Sequence, residues 1–329
     1  MNRSTDFIPF AKPSIGPREE DAVMRVLRSG WLTTGAETRS FEEEFRSAVG
    51  AKHALAVNSA TAGLHLAVDA AGIGAGDRVA MSPYTFASTA EVVRYVGADP
   101  LFVDIARDSY NVDANRLADA LGREGRIRAV IPVHIAGDPC DMDRIIALAR
   151  EYKLPVIEDA AHGFPAKSGD RILGTLGAVG VYSFYATKTI TTGEGGMIVT
   201  DDDGLARRMS TMRLHGIDRE IWDRYSTRGA SWRYEVVEPG YKYNMTDIAA
   251  AMGRVQLART DEFHRRRIAI ATRYDDAFAG RDYLRLPPRH DDHSWHLYII
   301  RVVSDRLSIS RDEFIEELAE AGIGTSVHF

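Results

Sequence analysis

Apolar runs and helical patterns alternate along the first two hundred residues. Ala54 to Val57 reads as a buried strand and Ala60 to Ala71 as a helix. Arg78 to Met81 is a short strand, followed by a helical stretch from Ala87 to Val96. Leu101 to Val103, Ala129 to Val133 and Val156 to Glu158 continue the strands, with helices expected over Asp113 to Leu121 and Met142 to Tyr152. Val179 to Phe184 and Met197 to Val199 complete the buried strands. Strands followed by helices at this rhythm predict βαβ units: a mostly parallel sheet with helices on both faces, an α/β fold.

The pattern changes beyond Ala206 to Leu214, which is helical. His215 to Asn244 loses periodicity and is rich in aromatics: Trp222, Tyr225, Trp232, Tyr234, Tyr241 and Tyr243. A loop this long inside a compact domain is usually functional. Met245 to about Phe278 is helical again, in two pieces that break near Thr260-Asp261. Trp295 to Val303 reads as a strand, Arg311 to Ala321 as a helix and Thr325 to His328 as a strand. The tail therefore predicts a smaller α+β domain. The expected division is an N-terminal segment over 1–30 packing with the small domain, a large domain over 31–259 and a small domain over 260–329.

Composition narrows the function. A chain of 329 residues with 45% hydrophobic content can bury a large core. The net charge is −6 and no basic run exceeds Arg265-Arg266-Arg267, so nucleic acid is not the expected partner. No apolar run approaches the ~18 residues of a membrane span. The single cysteine, Cys140, leaves no intrachain disulfide and fits a reducing, cytoplasmic setting. Gly72-Ile73-Gly74-Ala75-Gly76 lacks dinucleotide-site spacing and follows a helix. His290, Asp291, Asp292, His293 and His296 match no zinc-ligand spacing, and no metal is expected.

Two segments carry the chemistry. Asp159 closes the apolar run Leu154-Pro155-Val156-Ile157-Glu158, and Lys188 follows Ser183-Phe184-Tyr185-Ala186-Thr187 before Gly193, Gly195 and Gly196. In open α/β sheets, ligands bind beyond the carboxyl ends of strands. A lysine amine can hold pyridoxal phosphate as a Schiff base, and a carboxylate facing the ring nitrogen keeps it protonated so that the ring accepts electrons. Asn58-Ser59-Ala60-Thr61-Ala62-Gly63 lies between strand and helix, where free N–H groups attract an anion; read alone, an ordinary N-cap at Ser59 is the simpler reading. His162 can pack on the ring or bond its phenolic oxygen, or be a satisfied core histidine. Ser183 offers a phosphate hydroxyl or a strand contact. Phe86 can stack on the cofactor, although a core aromatic is the simpler reading.

Together these segments resemble the DegT/DnrJ/EryC1/StrS family of sugar aminotransferases, which has the fold type I of aspartate aminotransferase. The likeness also takes in Ser29-Gly30-Trp31-Leu32-Thr33-Thr34-Gly35, Pro83-Tyr84-Thr85-Phe86, Gly240-Tyr241-Lys242-Tyr243-Asn244-Met245-Thr246 and Gly322-Ile323-Gly324-Thr325-Ser326-Val327-His328-Phe329. The resemblance implies that Lys188 carries the cofactor and shuttles the proton. It pairs Asp159 with the pyridine nitrogen, sets His162 by the phenolic oxygen and stacks Phe86 on the ring. It assigns the phosphate to Ser59, Ala60, Thr61 and Ser183, completed from a second subunit by Asn244, with Lys242 as the alternative. The implied protein is a homodimer with a shared site. An amino acid, L-glutamate, would convert pyridoxal phosphate to pyridoxamine phosphate, and the amine would pass to a nucleotide-linked keto-sugar. Dehydration or aromatisation on the same fold, and a non-catalytic regulatory role, are the alternatives; relatives that dehydrate replace the lysine by histidine. Family members usually continue for several tens of residues beyond the segment matching Val327-His328-Phe329, so the resemblance also implies a small domain cut short.

Overall fold

The apolar runs become one mixed sheet in the computed structural model, which describes residues 7–217, 234–290 and 292–329. Trp222, Tyr225 and Trp232 of the aromatic loop, and Asp291, lie outside the described residues. The strands are β1 (His53–Val57), β2 (Arg78–Met81), β3 (Asp99–Phe102), β4 (Ile127–Ile131) and β5 (Ile157–Asp159), then the two-residue pair β6 (Lys167–Ser168) and β7 (Arg171–Ile172), then β8 (Val179–Ser183) and β9 (Gly196–Thr200). The order β1-β9-β8-β5 continues into β4-β2-β3 through parallel bridges at Val130–Val156 and Val133–Asp159. Only β9 opposes its neighbours in this sheet. Every residue of β9 and all but the last of β8 are buried, the mark of central strands covered on both faces.

The coverage comes from helices α1 (Pro17–Ser29), α2 (Ala36–Val49), α3 (Ala60–Ala70), α4 (Ala87–Tyr95), α5 (Ala114–Arg123), α6 (Met142–Glu151), α7 (Asp203–Met212), α8 (Asp247–Ala258), α9 (Thr260–Phe278) and α10 (Arg311–Glu320). Side chains cap the starts of α3, α5, α6, α7, α8 and α10. Such caps stabilise by about 1 kcal/mol each. One apolar layer joins α3, α4 and α7 to the sheet through Leu64, Leu66, Val93, Ile157, Val181 and Met209. Another packs Phe41, Phe45, Phe164, Tyr182 and Phe184 beneath α2. A third sets Leu117 and Ile145 against Val130.

The described part of the N-terminal segment is attached at several points. Ile8 exchanges backbone hydrogen bonds with Gly322 and Gly324, each at 2.8 Å. On α1, buried Glu19 accepts from Gln256 on α8 at 2.7 Å and from Arg259 at 2.8 Å.

The tail departs from the expected pattern. Of Trp295 to Val303, only β11 (Arg301–Val302) forms a ladder, with β10 (Leu284–Arg285). Trp295 has φ of 52°, and the amides of Ser294 and His296 bond instead to the carbonyls of Gly137 and Ala136. Those bonds pull the chain out of a strand and over the large sheet. Thr325 to His328 forms no strand because its only neighbouring bridge, at Ile323, ends before it begins. No described helix is long and apolar enough to cross a membrane.

Candidate active site

The carboxyl ends of β1, β5 and β8 converge on one side of the sheet. Ser59 caps α3, its oxygen accepting from Ala62 N–H at 3.1 Å. Gly196 pairs in register with both Val57 and Ser183. A Cβ on Gly196 would lie 2.8 Å from the Ala60 nitrogen and 2.8 Å from the Ser59 carbonyl carbon, so only glycine lets β9 lie against this turn. The result is a shallow cup: the first turn of α3, with Ser59, Ala60 and Thr61, faces the end of β8, where Ser183 sits. Ser183 Oγ accepts from Tyr185 N–H at 3.3 Å. Asn244 is bridged to Val57 and donates to Thr34 Oγ1 at 2.6 Å, while Lys242 Nζ donates to its side-chain Oδ1.

Asp159 ends β5 and is buried. Thr89 donates to its Oδ2 at 2.7 Å and the Ala161 amide to its Oδ1 at 3.1 Å. Burial raises the Asp159 carboxyl above its ordinary range, opposed by Thr89, the Ala161 amide and the charge on Lys188. Lys188 sits in the turn after β8, its amide bonded to Tyr185 O at 2.9 Å. Desolvation lowers its amine to about 8, against the attraction of Asp159. The sequence-predicted lysine and aspartate are thus within electrostatic reach of each other.

His162 is buried, and its Nδ1 accepts from Ala136 N–H at 3.2 Å. Burial, then Lys188, then His328 hold it well below the ordinary imidazole range. The ring is therefore neutral, with its proton on Nε2. Phe86 precedes α4 and is 63% exposed, which removes the core-aromatic reading. Its nearest ring partner is Phe329, edge-on at 6.2 Å.

Several neighbours carried no role in the sequence reading. Thr89 lies in the first turn of α4, three residues after Phe86, where no local signal marks it. His296 packs 4.4 Å from the His162 ring, and Ser294 donates to the His162 carbonyl at 2.7 Å; both are far away in sequence. His328 is half-buried beside them, its basicity lowered by burial and by Lys188. The remaining members of the histidine-rich stretch are engaged elsewhere: His290 pairs with Asp138 at 2.5 Å and His293 stacks on Trp295. A cavity of about 740 Å³ lies between Phe164, Lys167, Arg254 and His264, but no site residue lines it.

These residues fit pyridoxal phosphate. The cup at α3 offers free amides and hydroxyls to a phosphate. The buried carboxylate at Asp159 suits a cationic ring nitrogen. Lys188 presents an amine whose proton is weakly held at neutral pH.

The comparisons with known proteins agree. The model of the DegT/DnrJ/EryC1/StrS aminotransferase family matches residues 13–329. The spore coat polysaccharide biosynthesis protein SpsC of Bacillus subtilis is 47% identical over 332 residues, covering 100% of this chain and 85% of that protein. The putative sugar aminotransferase Spr1654 of Streptococcus pneumoniae superposes with a TM-score of 0.89 at 32% identity, over 98% of this chain and 85% of its own, and is known in PLP and PMP forms. Helicobacter pylori PseC, an aminotransferase involved in the biosynthesis of pseudoaminic acid, gives a TM-score of 0.90 at 28% identity, over 99% of this chain and 85% of its own. The small domain cut short is not borne out: the likeness to these structures runs along nearly the whole chain.

Proposed function

We propose that this chain, which belongs to the DegT/DnrJ/EryC1/StrS aminotransferase family of PLP-dependent sugar aminotransferases, moves the amino group of L-glutamate to the keto carbon of a nucleotide-linked sugar. The product would be an amino sugar for surface polysaccharide or a glycosylated natural product. The observation that carries the reading is the meeting of Lys188 and Asp159 beside the Ser59–Gly196 cup. The likeness to SpsC, a protein of spore coat polysaccharide biosynthesis, and to PseC, an aminotransferase of pseudoaminic acid biosynthesis, supports the substrate class.

Bound pyridoxal phosphate supplies an aldehyde to take up the amine and a cationic ring to draw electrons from the carbon being deprotonated. The chain's own groups do the rest. Lys188 Nζ, with its affinity for protons lowered to about 8, takes the proton from the substrate carbon and returns it as a general base and acid. Asp159, with one oxygen tied to Thr89 and the other to Ala161, holds the ring nitrogen's proton. His162, whose proton lies on Nε2, would donate to the phenolic oxygen, and Phe86 would offer an exposed face for stacking. Ser59, Ala60, Thr61 and Ser183 receive the phosphate. In a homodimer the partner subunit's Asn244, or the partner subunit's Lys242, completes that contact. The free, buried Cys140 suits a cytoplasmic enzyme.

The test is donor consumption. Purified protein loaded with pyridoxal phosphate is expected to convert L-glutamate to 2-oxoglutarate, and with one member of a panel of nucleotide keto-sugars to do so in step with aminated product. Absence of a bound chromophore, or sugar conversion without 2-oxoglutarate, would overturn the proposal.

A further inference from the structure

Glu158 precedes Asp159 on β5, and strand alternation sends the two carboxylates to opposite faces of the sheet. Glu158 is fully buried. Its Oε1 accepts from Leu176 N–H at 2.6 Å and Gly177 N–H at 2.5 Å. Its Oε2 accepts from Gly174 N–H at 2.8 Å and His134 Nε2 at 3.0 Å. All the acceptor positions of this carboxylate are filled by N–H groups from one loop and one ring.

His134 settles its own tautomer. Burial opposes protonation, but Cys140 and Glu158 outweigh it and push the imidazole's basicity up to about 10. The Cys140 amide, however, points at Nδ1 from 3.2 Å. A nitrogen that accepts a backbone N–H carries no proton, so the ring is neutral and its one proton lies on Nε2, directed at Glu158. The same residue grips Asp159 through the main chain, its N–H donating to Asp159 O at 3.2 Å, while nearby Pro132 O accepts from Asp159 N–H at 2.9 Å. One residue thus holds Glu158 by its side chain and Asp159 by its backbone.

We propose that Glu158 and His134 are a positioning pair that fixes the end of β5 and so sets where the Asp159 carboxylate stands. The inference rests on the cofactor assignment made above. Neither residue reaches the reaction; the pair acts through Asp159. Glutamine at 158 would offer one oxygen to donors that now share two, leaving buried N–H groups unpaired or facing an NH₂.

The experiment is a double-mutant cycle on the affinity of cofactor-free protein for pyridoxal phosphate, read from equilibrium absorbance titrations of wild type, Glu158→Gln, Asp159→Asn and the double variant. Glu158→Gln is expected to weaken binding about ten-fold when Asp159 is present and less than about two-fold when it is not, the signature of residues acting as a unit. Equal effects in both backgrounds, or none in either, overturn the pair. Should Glu158→Gln not fold, the cycle runs with His134→Ala against His134→Gln; the glutamine, which keeps an N–H for Glu158, is expected to retain most of the affinity, and equal loss in both overturns the pair. Failure of wild type to bind at all brings down the cofactor assignment, and the pair with it, and is distinguishable from additivity in a protein that binds.

Discussion

Thr89 donates its hydroxyl proton to Asp159 Oδ2 across 2.7 Å, and because that proton is committed, Thr85, 2.8 Å away, must donate to Thr89 in turn. The relay gives a buried carboxylate one of its few donors. Thr89→Val keeps the shape and removes the hydroxyl, leaving Asp159 Oδ2 without this donor at a cost of ~1–3 kcal/mol. Thr89 lowers the Asp159 carboxyl, so its loss moves that carboxyl further up. Protonated Asp159 cannot hold a cationic ring nitrogen. Cofactor binding therefore weakens as pH falls through the Asp159 carboxyl, and in Thr89→Val that fall begins at higher pH. Superimposable pH profiles of binding for the two proteins would refute the relay.

Lys188 carries a stability effect of known sign. Its folded-state value, about 8 against 10.5 unfolded, means the native chain binds fewer protons than the unfolded chain between those values. Stability of the cofactor-free protein therefore rises with pH across that window, and below it the buried charge is a constant penalty. Lys188→Met removes the penalty. The variant is expected to be more stable than wild type at neutral pH by ~2 kcal/mol, with the gap closing towards pH 10. It is also expected to lose transamination. Denaturant unfolding at several pH values measures the first effect, and a gap that stays constant with pH would contradict it.

Strand periodicity and the Asp159 and Lys188 segments were legible because each is local: an apolar run ending in one polar residue marks a strand entering a site. The helices α1 and α2 passed unread, although Pro17 at the first turn of α1 was an available start signal. What could not be read was tertiary. Thr89, Glu158 and His134 matter through partners scattered over the chain, and nothing in a threonine's neighbours announces a carboxylate seventy residues on. Trp295 to Val303 has the composition of a strand, but its His296 and Leu297 amides bond to the Ala136 carbonyl, because strand propensity reflects fit to a neighbouring surface more than any intrinsic preference.

Gly196 tests the phosphate cup separately from the ring contacts. In Gly196→Ala the new methyl meets backbone atoms of Ser59 and Ala60 at 2.8 Å, which cannot rotate away. Accommodation shifts the start of α3 and costs ~1–3 kcal/mol. Because the strain falls on the cup, affinity for pyridoxal phosphate is expected to drop about ten-fold or more, whereas that for unphosphorylated pyridoxal changes little. Equal losses for the two ligands would place the phosphate elsewhere.

Ser294 clasps the turn beneath His162. Its Oγ donates to His162 O at 2.7 Å and its amide to Gly137 O at 3.1 Å. Gly137 has φ of +92°, and a Cβ there would stand 1.7 Å from Ser294 Oγ and 2.8 Å from Ser294 Cβ. Gly137→Ala therefore suffers both a left-handed backbone conformation, costing ~1–2 kcal/mol, and a collision costing ~1–3 kcal/mol more. Ser294→Gly loses the hydrogen bond to His162 O but removes the two side-chain collisions, leaving only His162 O at 2.8 Å from the new methyl. The double variant is accordingly expected to be more stable than the sum of the two single losses predicts, by ~1 kcal/mol or more. Thermal or denaturant unfolding of the four proteins measures the coupling. Strict additivity would show that residues 294 and 137 do not touch in solution and that the clasp over His162 is not formed.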